Sequence, residues 1–187
     1  MLPDQKPDVI ELDIKKLMMD SVVITSGLAI LFIAIQVICM KEFQFSVWQM
    51  LSGFILFVVL YIVLIILHEA FHLIGFMLFG GVPFKSLKYG INLELGVAYA
   101  TTDKPLPNYA MKKALLLPFW TTGIIPTIAG FYFNSTVLLL AGAFLIGGAV
   151  GDFAMYKELR KYPKHALVED DPQLPKLYVY PPQKTDK

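Results

Sequence analysis

Residues 48–81 read WQMLSGFILFVVLYIVLIILHEAFHLIGFMLFGG, and the run holds a single charged residue, Glu69. Nothing punctuates it before the Gly80-Gly81 pair, and Trp48 at its start is the aromatic expected at a membrane interface. As one helix the run is roughly 50 Å long, against a hydrocarbon core of about 30 Å. It must therefore tilt, kink or protrude, with Gly53 and Gly75 as its weak points.

Working outward, residues 21–40 contain no charged residue and residues 114–156 contain one, Asp152. A helix crosses a bilayer with about 20 apolar residues, so the first stretch is one span and the second is long enough for two. Asn134-Ser135 supplies the tight connection between those two, and Pro118 and Pro126 are expected kinks. The chain is 56% hydrophobic and only 17% charged, whereas soluble domains carry about 25% charged residues. The expected fold is an all-α integral membrane protein with about four transmembrane helices: 21–40, 48–80, 110–133 and one ending near Tyr156.

One segment breaks the helical pattern. Leu87, Tyr89, Ile91, Leu93, Leu95, Val97 and Tyr99 alternate with Lys88, Gly90, Asn92, Glu94, Gly96 and Ala98. That period of two predicts a short β-hairpin or strand between helices 2 and 3, turned or bent at Gly90 or Gly96. Residues 1–20 are polar, with Ile10, Leu12, Ile14 and Leu17 suggesting an interfacial helix. Residues 157–187 are charged and proline-containing, which predicts a partly disordered tail. The domain plan is thus an N-terminal segment 1–20, a membrane-embedded body 21–156 and a tail 157–187.

Charge fixes the expected orientation. With four spans, both termini and the 81–112 loop share a side, and that side carries Lys6, Lys15, Lys16, Lys85, Lys88, Lys104, Lys112, Lys113 and Arg160. Lys41 alone lies opposite. The positive-inside rule places both termini and the hairpin in the cytoplasm, with the protein in the cell membrane and the lipid bilayer as its first partner. The net charge of +1 gives no basic field, so nucleic acid is not an expected partner. Cys39 is the only cysteine, which excludes an intrachain disulfide. The acidic first twenty residues do not resemble the basic start of a cleaved signal peptide, so the first span reads as a retained anchor. Nothing in the sequence encodes an oligomeric state.

The chemistry is concentrated in His68-Glu69-Ala70-Phe71-His72. Histidines four apart on a helix present both rings to one face, where one metal ion takes both. Glu69 beside them is placed to hold a water and accept its proton. An ionisable residue in the middle of a span costs on the order of 3 kcal/mol, so this group needs compensation. The bland reading is a set of hydrogen-bonded packing residues.

Catalytic zinc usually has three protein ligands. His165 falls in the tail and Glu94 in the alternating segment, which leaves Asp152, the only acidic residue of the last two spans. His72 lies about 12 Å and Asp152 about 8 Å from the same, cytoplasmic, end of their helices. The small residues Ala143, Gly147, Gly148 and Gly151 around Asp152 would let helices approach closely. Ordinary helix packing, with Asp152 paired to a lysine, is the alternative. No oxyanion donor stands out: Asn92 and Asn108 are on the right side and Asn134 on the wrong one.

HEAFH in one span and an aspartate in a later one resemble the site-2 protease class of intramembrane zinc metalloproteases. The order His68-Glu69-Ala70-Phe71-His72, Lys88-Tyr89-Gly90, Ala114-Leu115-Leu116-Leu117-Pro118-Phe119 and Gly151-Asp152 is closer to a family of small bacterial membrane proteins described as "putative zincin peptidases". That resemblance covers about residues 67–153. Gly151-Asp152-Phe153 stands where site-2 proteases carry Leu-Asp-Gly. The resemblance implies hydrolysis of peptide bonds in membrane or membrane-proximal substrates, with Zn2+ on His68, His72 and Asp152 and with Glu69 as general base. The competing function is a non-catalytic metal-binding scaffold, sensor or transporter partner, against which the intact Glu69 argues.

Overall fold

The computed structural model describes residues 6–40, 46–92, 97–171 and 176–181. In chain order the elements are β1 (Asp8–Glu11), α1 (Ile14–Met40), α2 (Val47–Gly80), β2 (Leu87–Asn92), β3 (Val97–Thr102) and β4 (Leu106–Pro107). They continue with α3 (Asn108–Pro118), a π-helical segment (Phe119–Ile124), α4 (Ile125–Tyr132), α5 (Thr136–Gly148), α6 (Val150–Leu159), β5 (Leu167–Asp170) and β6 (Lys176–Tyr180). Among the described residues, four helical stretches are long and apolar enough to cross a membrane: Ile14–Cys39, Val47–Gly80, Asn108–Tyr132 and Thr136–Leu159. They coincide with the apolar runs of the sequence.

α2 runs unbroken through Gly53 and Gly75 and stops where the glycine pair stands. Gly81 adopts φ 66°, its N–H bonds the Met77 carbonyl at 3.0 Å, and the Val82 N–H reaches the Phe76 carbonyl at 3.4 Å. This left-handed closure satisfies carbonyls that the helix end would otherwise orphan, and only glycine adopts it without strain. In the third span, the helix passes from Pro118 into the π-helical segment. The Thr122 and Thr127 hydroxyls donate to the Pro118 and Gly123 carbonyls, both at 2.8 Å, which keeps backbone acceptors satisfied there.

The chain packs as two compact units, one of residues 1–14, 69–117 and 151–187, the other of residues 15–68 and 118–150. In the second, Leu64, Ala141 and Leu145 pack with Phe57, Leu60 and Tyr61. Gly147 lies against Thr25 of α1 so closely that a Cβ would fall 1.8 Å from the threonine hydroxyl oxygen. That is the close approach expected of the small residues near Asp152. It serves α1 packing, while among the described residues a Cβ on Gly148 or Gly151 would have no neighbour within 4 Å.

The first unit departs from the all-α expectation: among the described residues the protein is mostly helical with two small antiparallel sheets. One is the expected hairpin, with β2 and β3 registered from Leu87↔Thr102 to Asn92↔Val97. Gly90 sits mid-strand beside the Tyr99 ring and is not the turn; Gly96, the other expected turn residue, lies outside the described residues. The second sheet has the order β1-β6-β5-β4. Its β1 stands where an interfacial helix was expected, because Val9 and Ile10 pair with Tyr178 and Leu177 of the tail. The tail, expected to be partly disordered, supplies β5 and β6, with Val168, Leu177 and Val179 buried against Phe76, Leu106, Met111 and Leu159. Fully burying such aliphatic side chains contributes about 1.5–3 kcal/mol each, which outweighs the tail's polar composition.

Candidate metal centre

α2 carries the motif. His68 and His72, one turn apart, are both buried. The boundary between the two units falls directly after His68, but α2 is continuous there, so the helix itself sets the spacing of the two rings. Asp152 arrives from the fourth span. A break at Ala149 between α5 and α6 puts it in the first turn of α6, where a helix N-terminus favours a carboxylate. The His72 Nε2 and Asp152 Oδ1 atoms are 3.4 Å apart.

One ligand atom each from His68, His72 and Asp152 lies within 4.8 Å of the others. Two imidazole nitrogens and one carboxylate oxygen match the number and type of protein ligands in catalytic zinc sites. The residues therefore fit such an ion. Contacts behind the rings are equally defined: His68 Nδ1 is 3.1 Å from Thr122 Oγ1, and His72 Nδ1 is 3.2 Å from the Ala114 carbonyl. The His72 ring also stacks on Phe76, one turn on, with centroids 6.4 Å apart. Glu69 is partly buried on the same turn of α2.

Other sequence candidates fall elsewhere. His165 meets the Tyr109 ring, centroids 6.1 Å apart, outside the cluster. Glu94 lies outside the described residues, as does the side chain of Asn92. Asn108 is used structurally: its amide nitrogen donates to the carbonyls of Leu159, Tyr162 and Pro163 at 2.9–3.0 Å. This clamps the start of α3 to the end of α6. Asn134 forms the α4–α5 turn at φ 51° and accepts a hydrogen bond from Gln36.

Two residues near the cluster were not foreseen. Thr122 is one, a hydroxyl inside the third apolar span. Asp170 is the other. On β5 it shares the face of Val168, two residues earlier, whose side chain is in the core with Phe76. Burial there pushes the Asp170 carboxyl up to about 7. The Thr101 hydroxyl and the His72 ring oppose that rise, and the Asp171 and Glu69 carboxylates add to it. Its signal in the sequence was the alternation of Leu177, Val179 and their neighbours, which marks the tail as strand.

A family model described as "Putative zincin peptidase" matches residues 61–167, more than half of the 187-residue chain. The matched stretch includes His68, Glu69, His72 and Asp152. No curated protein and no solved structure matches the chain.

Proposed function

The chain belongs to the "Putative zincin peptidase" family, and from that membership we propose that it is a membrane-embedded zinc metallopeptidase acting on membrane or membrane-proximal peptides. The observation that carries this reading is the convergence of His68, His72 and Asp152 beside Glu69, with Asp152 eighty residues after His72 in sequence. A zinc ion bound there supplies Lewis acidity, polarising a carbonyl and making water easier to deprotonate. The protein does the rest. His68, His72 and Asp152 hold the ion, and the Glu69 carboxylate takes the proton from the attacking water and passes it to the leaving amine nitrogen.

The lipid reading is supported by the surface of the first two spans. Ile30, Ile38, Phe54 and Leu78 are more than 60% exposed, a display of large apolar side chains suited to hydrocarbon. The lysine and arginine asymmetry supports cytoplasmic termini. Among the described residues, the β2–β3 hairpin forms a two-stranded sheet of its own. Its β2 edge offers main-chain pairing to an extended substrate, the usual way a strand edge holds a peptide.

Purified protein in detergent tests the reading. The expected result is about one equivalent of zinc, and hydrolysis of a membrane peptide that Glu69→Gln abolishes without loss of the metal. Zinc below half an equivalent would remove the metal centre. Full activity in Glu69→Gln would remove the proposed base and leave a scaffold or sensor as the better account.

A further inference from the structure

We infer that Thr122 is a positioning residue that fixes the tautomer of His68, and that the π-helical segment is what brings it there; the inference rests on the proposed role of His68 as a ligand. A threonine hydroxyl has one hydrogen. Thr122 gives it to the Pro118 carbonyl at 2.8 Å, the common back-bond to the fourth residue before. Towards His68 Nδ1, 3.1 Å away, the same oxygen can then only accept. The proton of the neutral ring is therefore on Nδ1, and Nε2 keeps its lone pair.

The second ring obeys the same logic through a different group. The Ala114 carbonyl, 3.2 Å from His72 Nδ1, has no proton to give, so His72 also carries its proton on Nδ1. Its Nε2 is the atom that approaches Asp152. Both rings are thus held from behind at Nδ1, one by a backbone carbonyl and the other by Thr122. A wider turn of i→i+5 type accommodates one more residue than an α-turn, and such insertions recur at functional sites. Here the segment begins directly after Pro118, so the residue that loosens the helix also accepts the Thr122 proton. Thr122 is 1% exposed, which keeps water from substituting for its oxygen.

Outer partners of metal-bound histidines typically change metal affinity by about 10–100-fold when removed. Thr122→Val keeps the shape and deletes the acceptor, whereas Thr122→Ser keeps the acceptor. Zinc affinity is measured by chelator competition, and the His68 tautomer by 15N chemical shifts in metal-free protein. The expected results are a 10–100-fold weaker affinity and mixed tautomers in the valine variant, and near-normal values in the serine variant. Unchanged affinity and tautomer in Thr122→Val would overturn the proposal. So would an Nε2–H tautomer at His68 in the wild type, a measurement that stands even if the valine variant does not fold. Wild-type protein that shows the Nδ1–H tautomer but binds no zinc would leave this assignment standing and overturn the metallopeptidase reading instead.

Discussion

Asp152 and Asp170 are both carboxylates of the first unit, but their environments assign them different consequences. Asp152 opens α6 and faces His72 Nε2; Asp152→Ala removes one of three ligands. Zinc affinity is expected to fall by at least about 100-fold, measured by the same competition. Unaltered affinity would exclude Asp152 from the site. Asp170 is held protonated up to a pH of about 7, whereas an unfolded aspartate releases its proton near pH 4. Between those values the folded metal-free protein binds more protons than the unfolded chain. Raising the pH through this window therefore lowers stability, by about 1.4 kcal/mol per unit at most from this group. The loss is absent below pH 4 and complete above 7. The difference in denaturation free energy between wild type and Asp170→Asn should slope across that window, and parallel profiles would disprove the assignment. HExxH was readable because it is contiguous, and Asp152 because a lone acid in an apolar span is conspicuous. Thr122 and Asp170 were not: a hydroxyl in a helix and an acid in a polar tail look ordinary until folding brings a histidine to them.

At the scale of elements, α2 and α3 meet backbone to backbone. A Cβ on Gly75 would lie 2.8 Å from both the Cα and Cβ of Ala114, and the Ala114 carbonyl is the group that accepts from His72. Gly75→Ala must push the two helices apart exactly where a ligand is oriented. The expected cost is about 1–3 kcal/mol of stability, accompanied by weaker zinc binding. Gly27→Ala, with none of the described residues within 4 Å of the added carbon, should change neither. A Gly75→Ala protein that melts and binds zinc like wild type would contradict this packing. The four long helices were legible because apolar length is a property of each segment alone. The sheet was not, since β1 and β4 are too short to announce themselves and depend on partners from the tail.

At the scale of the molecule, the tail is the test of how the first unit holds together. Ending the chain after Pro163 would remove β5 and β6 and, with them, Val168, Leu177 and Val179 from the core. At about 1.5–3 kcal/mol per side chain, that is a large part of the 5–15 kcal/mol by which a typical protein is stable. The truncated protein is expected to lose its cooperative melting transition in detergent; a preserved transition would return the tail to the irregular segment that its composition suggested. The same sheet has a consequence for time. Strand β6 pairs with β1, which precedes it by some 165 residues, so β1 waits without its partner until β6 has left the ribosome. The carboxyl of Asp170, on β5, comes under the charge of His72 and Glu69 only after the helices are made, which makes completion of this neighbourhood an event that follows synthesis of all four long helices.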